Sequence, residues 1–119
     1  MIGRVDGYFR VAALFGLLAV ALGAFGAHAL KDSLTASGMT EVWKTAVLYH
    51  LVHAAVLLFV SWSDLSRKAW WCFVIGVLLF SGSLYLLAVS GIKPLGIITP
   101  FGGISLLAGW LLLIVAPRR

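Results

Sequence analysis

The chain has 119 residues, 62% of them hydrophobic and 11% charged, with a mean hydropathy of +1.08 and a net charge of +5. A soluble domain carries about 45–50% apolar and about 25% charged residues, and a soluble monomer of this length has too little interior to hide the excess. Ordinary soluble enzymes, disordered chains and basic nucleic-acid binders are thereby excluded, and the single cysteine, Cys72, supplies neither an internal disulfide nor a multi-thiolate metal site.

The charges punctuate the chain. Arg10 and Lys31 bound 20 uncharged residues, Lys44 and Asp64 bound 19, and Lys68–Lys93 and Lys93–Arg118 each bound 24. A bilayer-spanning helix needs about 20 predominantly apolar residues. Backbone polar groups in lipid must be satisfied within the segment, and none of the four stretches alternates as a transmembrane strand does. The expectation is an all-α membrane protein: one domain, 1–119, with transmembrane helices at about 9–30, 42–62, 69–90 and 97–116. Short connections make an up-down-up-down four-helix bundle the simplest arrangement.

In the first helix, Ala27-His28-Ala29 fits a signal-cleavage site after the basic Arg4 and Arg10. The apolar run Val11–Ala27 exceeds the usual 7–15 residues of a signal peptide, so a retained helix is expected. In the connection to the second helix, Thr40 is placed to cap that helix and Glu41 suits its first turn. Trp70 and Trp71 follow Arg67-Lys68 as an interfacial belt would. Residues 94–103 read PLGIITPFGG. They suit a Gly/Pro loop that folds back before a helix starting near Pro100, or one helix kinked there; the loop is preferred.

With four spans, Arg4, Arg10, Arg67, Lys68, Arg118 and Arg119 share one side, against Lys31, Lys44 and Lys93 on the other. The excess of positive charge is expected on the cytoplasmic side, which places both termini in the cytoplasm. The lipid bilayer is the implied partner. Small residues let helices approach closely where lipid and leucine are equally apolar. Ala12, Gly16, Ala19, Gly23, Gly26 and Ala27 serve the first helix, Gly76, Ser81, Gly82 and Ser83 the third, and Gly102, Gly103, Ser105 and Gly109 the fourth. Composition leaves open whether these faces pack the bundle, a homo-oligomer or a larger membrane complex.

Polar groups inside a membrane are functional candidates by default. Thr45, Tyr49, His50 and His53 lie on adjoining strips of one helical face. From a start near Val42, His53 lies about 16 Å into a hydrocarbon core about 30 Å thick. With His28, Ser81, Ser83, Tyr85, Thr99 and Ser105 they concentrate polarity in the half of the bundle away from the termini. The other half reads as almost wholly apolar. A polar pocket, or a hydrogen-bonded plug, is expected there. His50 and His53 at i, i+3 are candidate ligands for a shared metal, with His28 as a third. Four short helices leave little room for haem, and no cofactor is implied. Cys72, without a neighbouring histidine, reads as an inert packing thiol.

The segments LGAFGAHALK (22–31), KTAVLYHLVHA (44–54), LFSGSLYLLAVSG (79–91) and LGIITPFGG (95–103), in this order, resemble a family of small membrane proteins called domain of unknown function 423. That family is related to eukaryotic transmembrane protein 256. The resemblance covers nearly the whole chain and implies a four-helix protein of the bacterial inner membrane. It supplies no reaction. Its motif positions fall here on His28, Tyr49, His50, His53, Ser81, Gly82, Ser83, Tyr85, Thr99, Pro100, Gly102 and Gly103. The expected function is that of a non-enzymatic structural or accessory partner in a membrane assembly. The alternatives are a binder of a small ligand, quinone, lipid or metal in the polar pocket, and a small transporter.

Overall fold

A computed structural model describes residues 5–117, and all regular structure among them is helical. The basic residues Arg4, Arg118 and Arg119, which enter the orientation argument, lie outside the described residues. Helix α1 covers Gly7–Ala27 and α2 covers Lys31–Ser37. The long helices α3 and α4 cover Thr40–Ser63 and Arg67–Ser90. A 3₁₀ turn, Lys93–Ile97, leads into α5, Thr99–Ile114. Helices α1, α3 and α4, and the segment Lys93–Ile114, are each long and apolar enough to cross a membrane. At roughly 1.5 Å per residue, the 24 residues of α3 or α4 extend about 36 Å, enough for the hydrocarbon core. With 16 residues α5 falls short of the usual minimum, and the 3₁₀ turn makes up the length.

Local chemistry sets most helix ends. The Asp6 and Ser66 side chains accept the first-turn amides of Phe9 and Ala69, opening α1 and α4. Gly38 and Gly91 close α2 and α4 at φ 72° and 70°, where a Cβ would be strained, and Asp64 closes α3 at φ 52°. Thr40 does not cap α3, contrary to expectation. It is already the first helical residue, and Met39 holds the cap position without a side-chain bond. The reason is α2, a one-sided short helix inside the connection. Its Leu34 is buried with Trp43 and Ala88, which draws the chain into α3 one residue early. Residues 94–103 are not a single kinked helix. The 3₁₀ turn precedes a new helix whose first turn holds Pro100, where the missing amide has no partner to lose.

Helix α1 packs on α3, α3 on α4, and α4 on α5, each antiparallel to the last. No Cα atoms of α1 and α5 approach within 8 Å. The long helices therefore follow one another in the order α1, α3, α4, α5, with α3 and α4 central and α1 and α5 on the flanks. The main core, around Leu57, Val60, Trp70, Phe73 and Leu106, lies toward the end that carries the termini. Trp70 belongs to this core, with its indole N–H donated to Ser61 Oγ at 2.9 Å, and only Trp71 is exposed as a belt residue would be. A buried indole must spend its N–H, so the termini-side half is not wholly apolar.

Glycines make two of these contacts possible. A Cβ on Gly102 would overlap the Phe80 main chain, and one on Gly26 would overlap the Trp43 indole. Gly76 and Gly109 are similarly filled by Leu106 and Phe73, and Gly23 lies against Val47. Gly103 makes only an ordinary contact with Phe80. Gly16 and Gly82 meet no atom within 4 Å, so they are not packing positions in this bundle. They share the small-residue pattern, but a Cβ at either would stand in open space, Gly82 within the groove between α1 and α4. Gly102→Ala is expected to cost about 1–3 kcal/mol, because backbone cannot yield as a side-chain tip does. Gly16→Ala should stay within about 0.5 kcal/mol. Unfolding in mixed micelles checks both. Equal losses would place Gly102 outside a tight seam.

Candidate functional site

The two histidines of α3 lie three residues apart, about 60° around the helix, and they diverge. Both are 5% exposed. His50 Nδ1 lies 2.8 Å from the Tyr85 hydroxyl of α4. Phe15 of α1 stands edge-on to the same ring at 6.0 Å. His53 turns toward α5. Its Nδ1 is 2.8 Å from the Tyr49 carbonyl oxygen, and its Nε2 is 3.0 Å from the Trp110 indole nitrogen. These two partners fix the tautomer. A carbonyl only accepts and an indole N–H only donates, so His53 carries its proton on Nδ1 and accepts at Nε2. The ring is the neutral imidazole, with neither nitrogen free for a metal, a haem or a passing proton.

Several other hydroxyls act in the same way. Ser81, fully buried, donates to the Ala46 carbonyl at 2.7 Å and joins α4 to α3. Ser83 and Thr99 share a bond of 2.6 Å between α4 and the start of α5. Ser105 donates to the Cys72 carbonyl, again joining α5 to α4. The Trp43 N–H reaches the Leu22 carbonyl of α1 at 3.0 Å. Near the termini, the Arg67 guanidinium donates to the Tyr8 hydroxyl and stacks on its ring, 4.0 Å from the centroid. Among the described residues no buried side-chain nitrogen or oxygen lacks a partner.

The expected residues therefore separate into two hydrogen-bonded seams on either side of α4. His50, Ser81 and Tyr85 border a groove of about 180 Å³ against α1. Tyr49, His53, Pro100 and Trp110 border another of about 400 Å³ against α5. Tyr49 is half out of the protein, with its ring 4.5 Å from Phe80. Ser83 and Thr99 form a third, separate pair. His28 joins none of these. It is exposed at the end of α1, where its amide closes the helix on the Ala24 and Phe25 carbonyls. The supposed triad of His28, His50 and His53 does not converge. No three His, Cys, Asp or Glu side chains among the described residues are grouped to hold a metal. One helix turn separates ring directions that the sequence places on a common strip.

Trp43, Trp110 and Phe15 were not singled out by the sequence as members of these seams. The signal for the first two was available, since an intramembrane indole N–H demands an acceptor. The main-chain acceptors Leu22, Ala46, Tyr49 and Cys72 carry no signal in their side chains.

The model of a family described as "Protein of unknown function (DUF423)" matches residues 22–103. The chain belongs to the DUF423 family. Its DUF423 segment runs from the α1–Trp43 contact, through both histidines, to the Gly102 seam. Similar proteins include the UPF0382 membrane protein YwdK of Bacillus subtilis, 42% identical over 92% of this chain and 94% of its own. A UPF0382 membrane protein of Staphylococcus epidermidis is 40% identical over 94% and 95%. The UPF0382 inner membrane protein YgdD of Escherichia coli is 39% identical over 91% and 86%. No solved structure matches. Four apolar spans and relatives named as membrane and inner membrane proteins place this DUF423 chain in the bacterial inner membrane.

The His53–Trp110 bond should behave as a stabilising pair. In a cycle of His53→Ala and Trp110→Phe, unfolding in mixed micelles is expected to show a coupling near the average of about 0.6 kcal/mol, and no more than the maximum of about 1.7 kcal/mol, for interhelical hydrogen bonds in lipid. Strict additivity of the two losses would contradict the bond.

Proposed function

We propose that this DUF423 protein is a non-enzymatic accessory component of a membrane assembly, docked through the outer faces of its flanking helices. The observation that carries this reading is the exhaustion of the buried polar groups inside the bundle. An active site or proton path needs a group that is free or can exchange partners. Here His53 is bonded at both nitrogens, and Ser81, Ser83, Tyr85 and Trp110 are bonded to other helices. What the chain offers its surroundings is helix surface. Leu17 of α1 is 66% exposed and Leu107 of α5 is 70% exposed, on flanks that do not meet each other. With connections this short, recognition by this chain takes place within or at the bilayer.

The test is photocrosslinking in native membranes from residues 17 and 107, together with native mass spectrometry after mild extraction. The expected result is a crosslinked protein of defined mass from one flank, retained at fixed stoichiometry and unaffected by His50→Ala where the bundle stays folded. A bare monomer without crosslinks would contradict the proposal. So would a monomer with a small-molecule adduct that His53→Ala removes, because that outcome makes the α3 histidines a ligand site.

A further inference from the structure

A concavity larger than either histidine groove lies elsewhere among the described residues. It opens between α1, α2 and α3, on the side away from the termini, and encloses about 530 Å³. That is within the range of roughly 300–1,000 Å³ typical of small-molecule sites. Its origin is readable. Gly23 and Ala27 withdraw the α1 surface, Leu48 and Leu51 of α3 supply the apolar floor, and α2 crosses at the mouth. Trp43, anchored by its bond to the Leu22 carbonyl and inserted over Gly26, fixes the spacing of α1 and α3 at the closed end. The groove does not depend on a mobile loop.

Its charge is one-sided. Lys31 at the start of α2 and Lys44 one turn into α3 both line it, while Asp32 and Glu41 do not. Glu41 touches Lys44 only as a loose, exposed pair at 3.6 Å, with both side chains largely in solvent. Such a pair is held weakly and leaves the ammonium available. The two lysines sit near helix ends that bound the apolar spans, and the apolar floor continues from them along those spans. An apolar trough under two cations has the chemistry of an anionic amphiphile with its acyl chain down. Free phosphate would leave the floor empty, and a neutral lipid would leave the lysines unanswered.

We propose that this groove holds one anionic phospholipid, with an acyl chain along Gly23, Ala27, Leu48 and Leu51 and the phosphate between Lys31 and Lys44. The site is separate from both histidine seams, and it stands whether or not the flanks dock a partner. Basic pockets between transmembrane helices recognise headgroups in this way, each lysine adding to the attraction.

The probe is phosphatidylglycerol against phosphatidylcholine with identical acyl chains. The full chain is reconstituted in mixed nanodiscs, and the lipids retained on it are counted by native mass spectrometry. The wild type should retain one phosphatidylglycerol with a preference of about thirtyfold, two lysines acting together. Lys31→Gln/Lys44→Gln should lose that preference. Ala27→Phe, which fills the trough, should lower retention of both lipids. Lys68→Gln, a basic residue at the other membrane face, should change nothing. Circular dichroism confirms that each variant is folded, and a photoactivatable acyl chain should mark residues 48 and 51. Equal retention of the two lipids by the wild type overturns the proposal. So does a preference that survives the double lysine variant, or one that Lys68→Gln abolishes.

Discussion

Lipid offers no hydrogen bonds, and that constraint organises this fold. Each donor or acceptor carried into the bilayer must find its partner on the chain or bear the full cost of desolvation. His53 shows the constraint most completely, with a main-chain carbonyl at one nitrogen and an indole N–H at the other. Its bond to Trp110 also ties α3 to α5, whose Cα atoms do not approach within 8 Å. His50 does the same work on the opposite side of α4 through Tyr85. Hydrophobic attraction between helices is weak in lipid, so such bonds, and the close approaches at Gly26 and Gly102, select this arrangement over other packings of the same apolar rods.

The membrane character, the number of spans and their approximate positions are legible from charge spacing, because charges are costly in hydrocarbon and cluster at its edges. The start of α5 near Pro100 is legible from the chemistry of proline. Helix α2 is not, since seven residues with one buried leucine leave no clear period. The glycine pattern misleads in part. Gly26, Gly76, Gly102 and Gly109 face a neighbour while Gly16 and Gly82 do not. The sequence carries the spacing of small residues but not the rotation of each helix about its axis.

The same rotational blindness affects the candidate site. His50 and His53 lie on adjoining strips of one helical face, and the sequence pattern gathers them with His28, Tyr49, Ser81, Ser83, Tyr85 and Thr99 into one pocket. Sixty degrees of rotation separates them in space, because α4 inserts between the two directions. Of these residues His50, His53, Ser81 and Ser83 are buried, whereas His28 and Tyr49 are exposed, and the structure distributes them over separate contacts. The acceptors that complete the seams are main-chain oxygens of Leu22, Ala46, Tyr49 and Cys72, which no residue type announces. The lysine-rimmed groove escapes the same logic, because its apolar floor and its two cations come from three different helices.

The central claim is that His53 is a structural tie in a fixed bonding state. The most direct test is ¹⁵N NMR of histidine-labelled protein in bilayers, with Trp110→Phe as the assignment control. His53 is expected to be neutral and protonated at Nδ1, invariant across neutral pH, with an Nε2 signal that shifts when the indole donor is removed. A His53 that exists as the Nε2–H tautomer, or that exchanges with imidazolium near neutral pH, would contradict it and return the histidines to the chemistry of a working site.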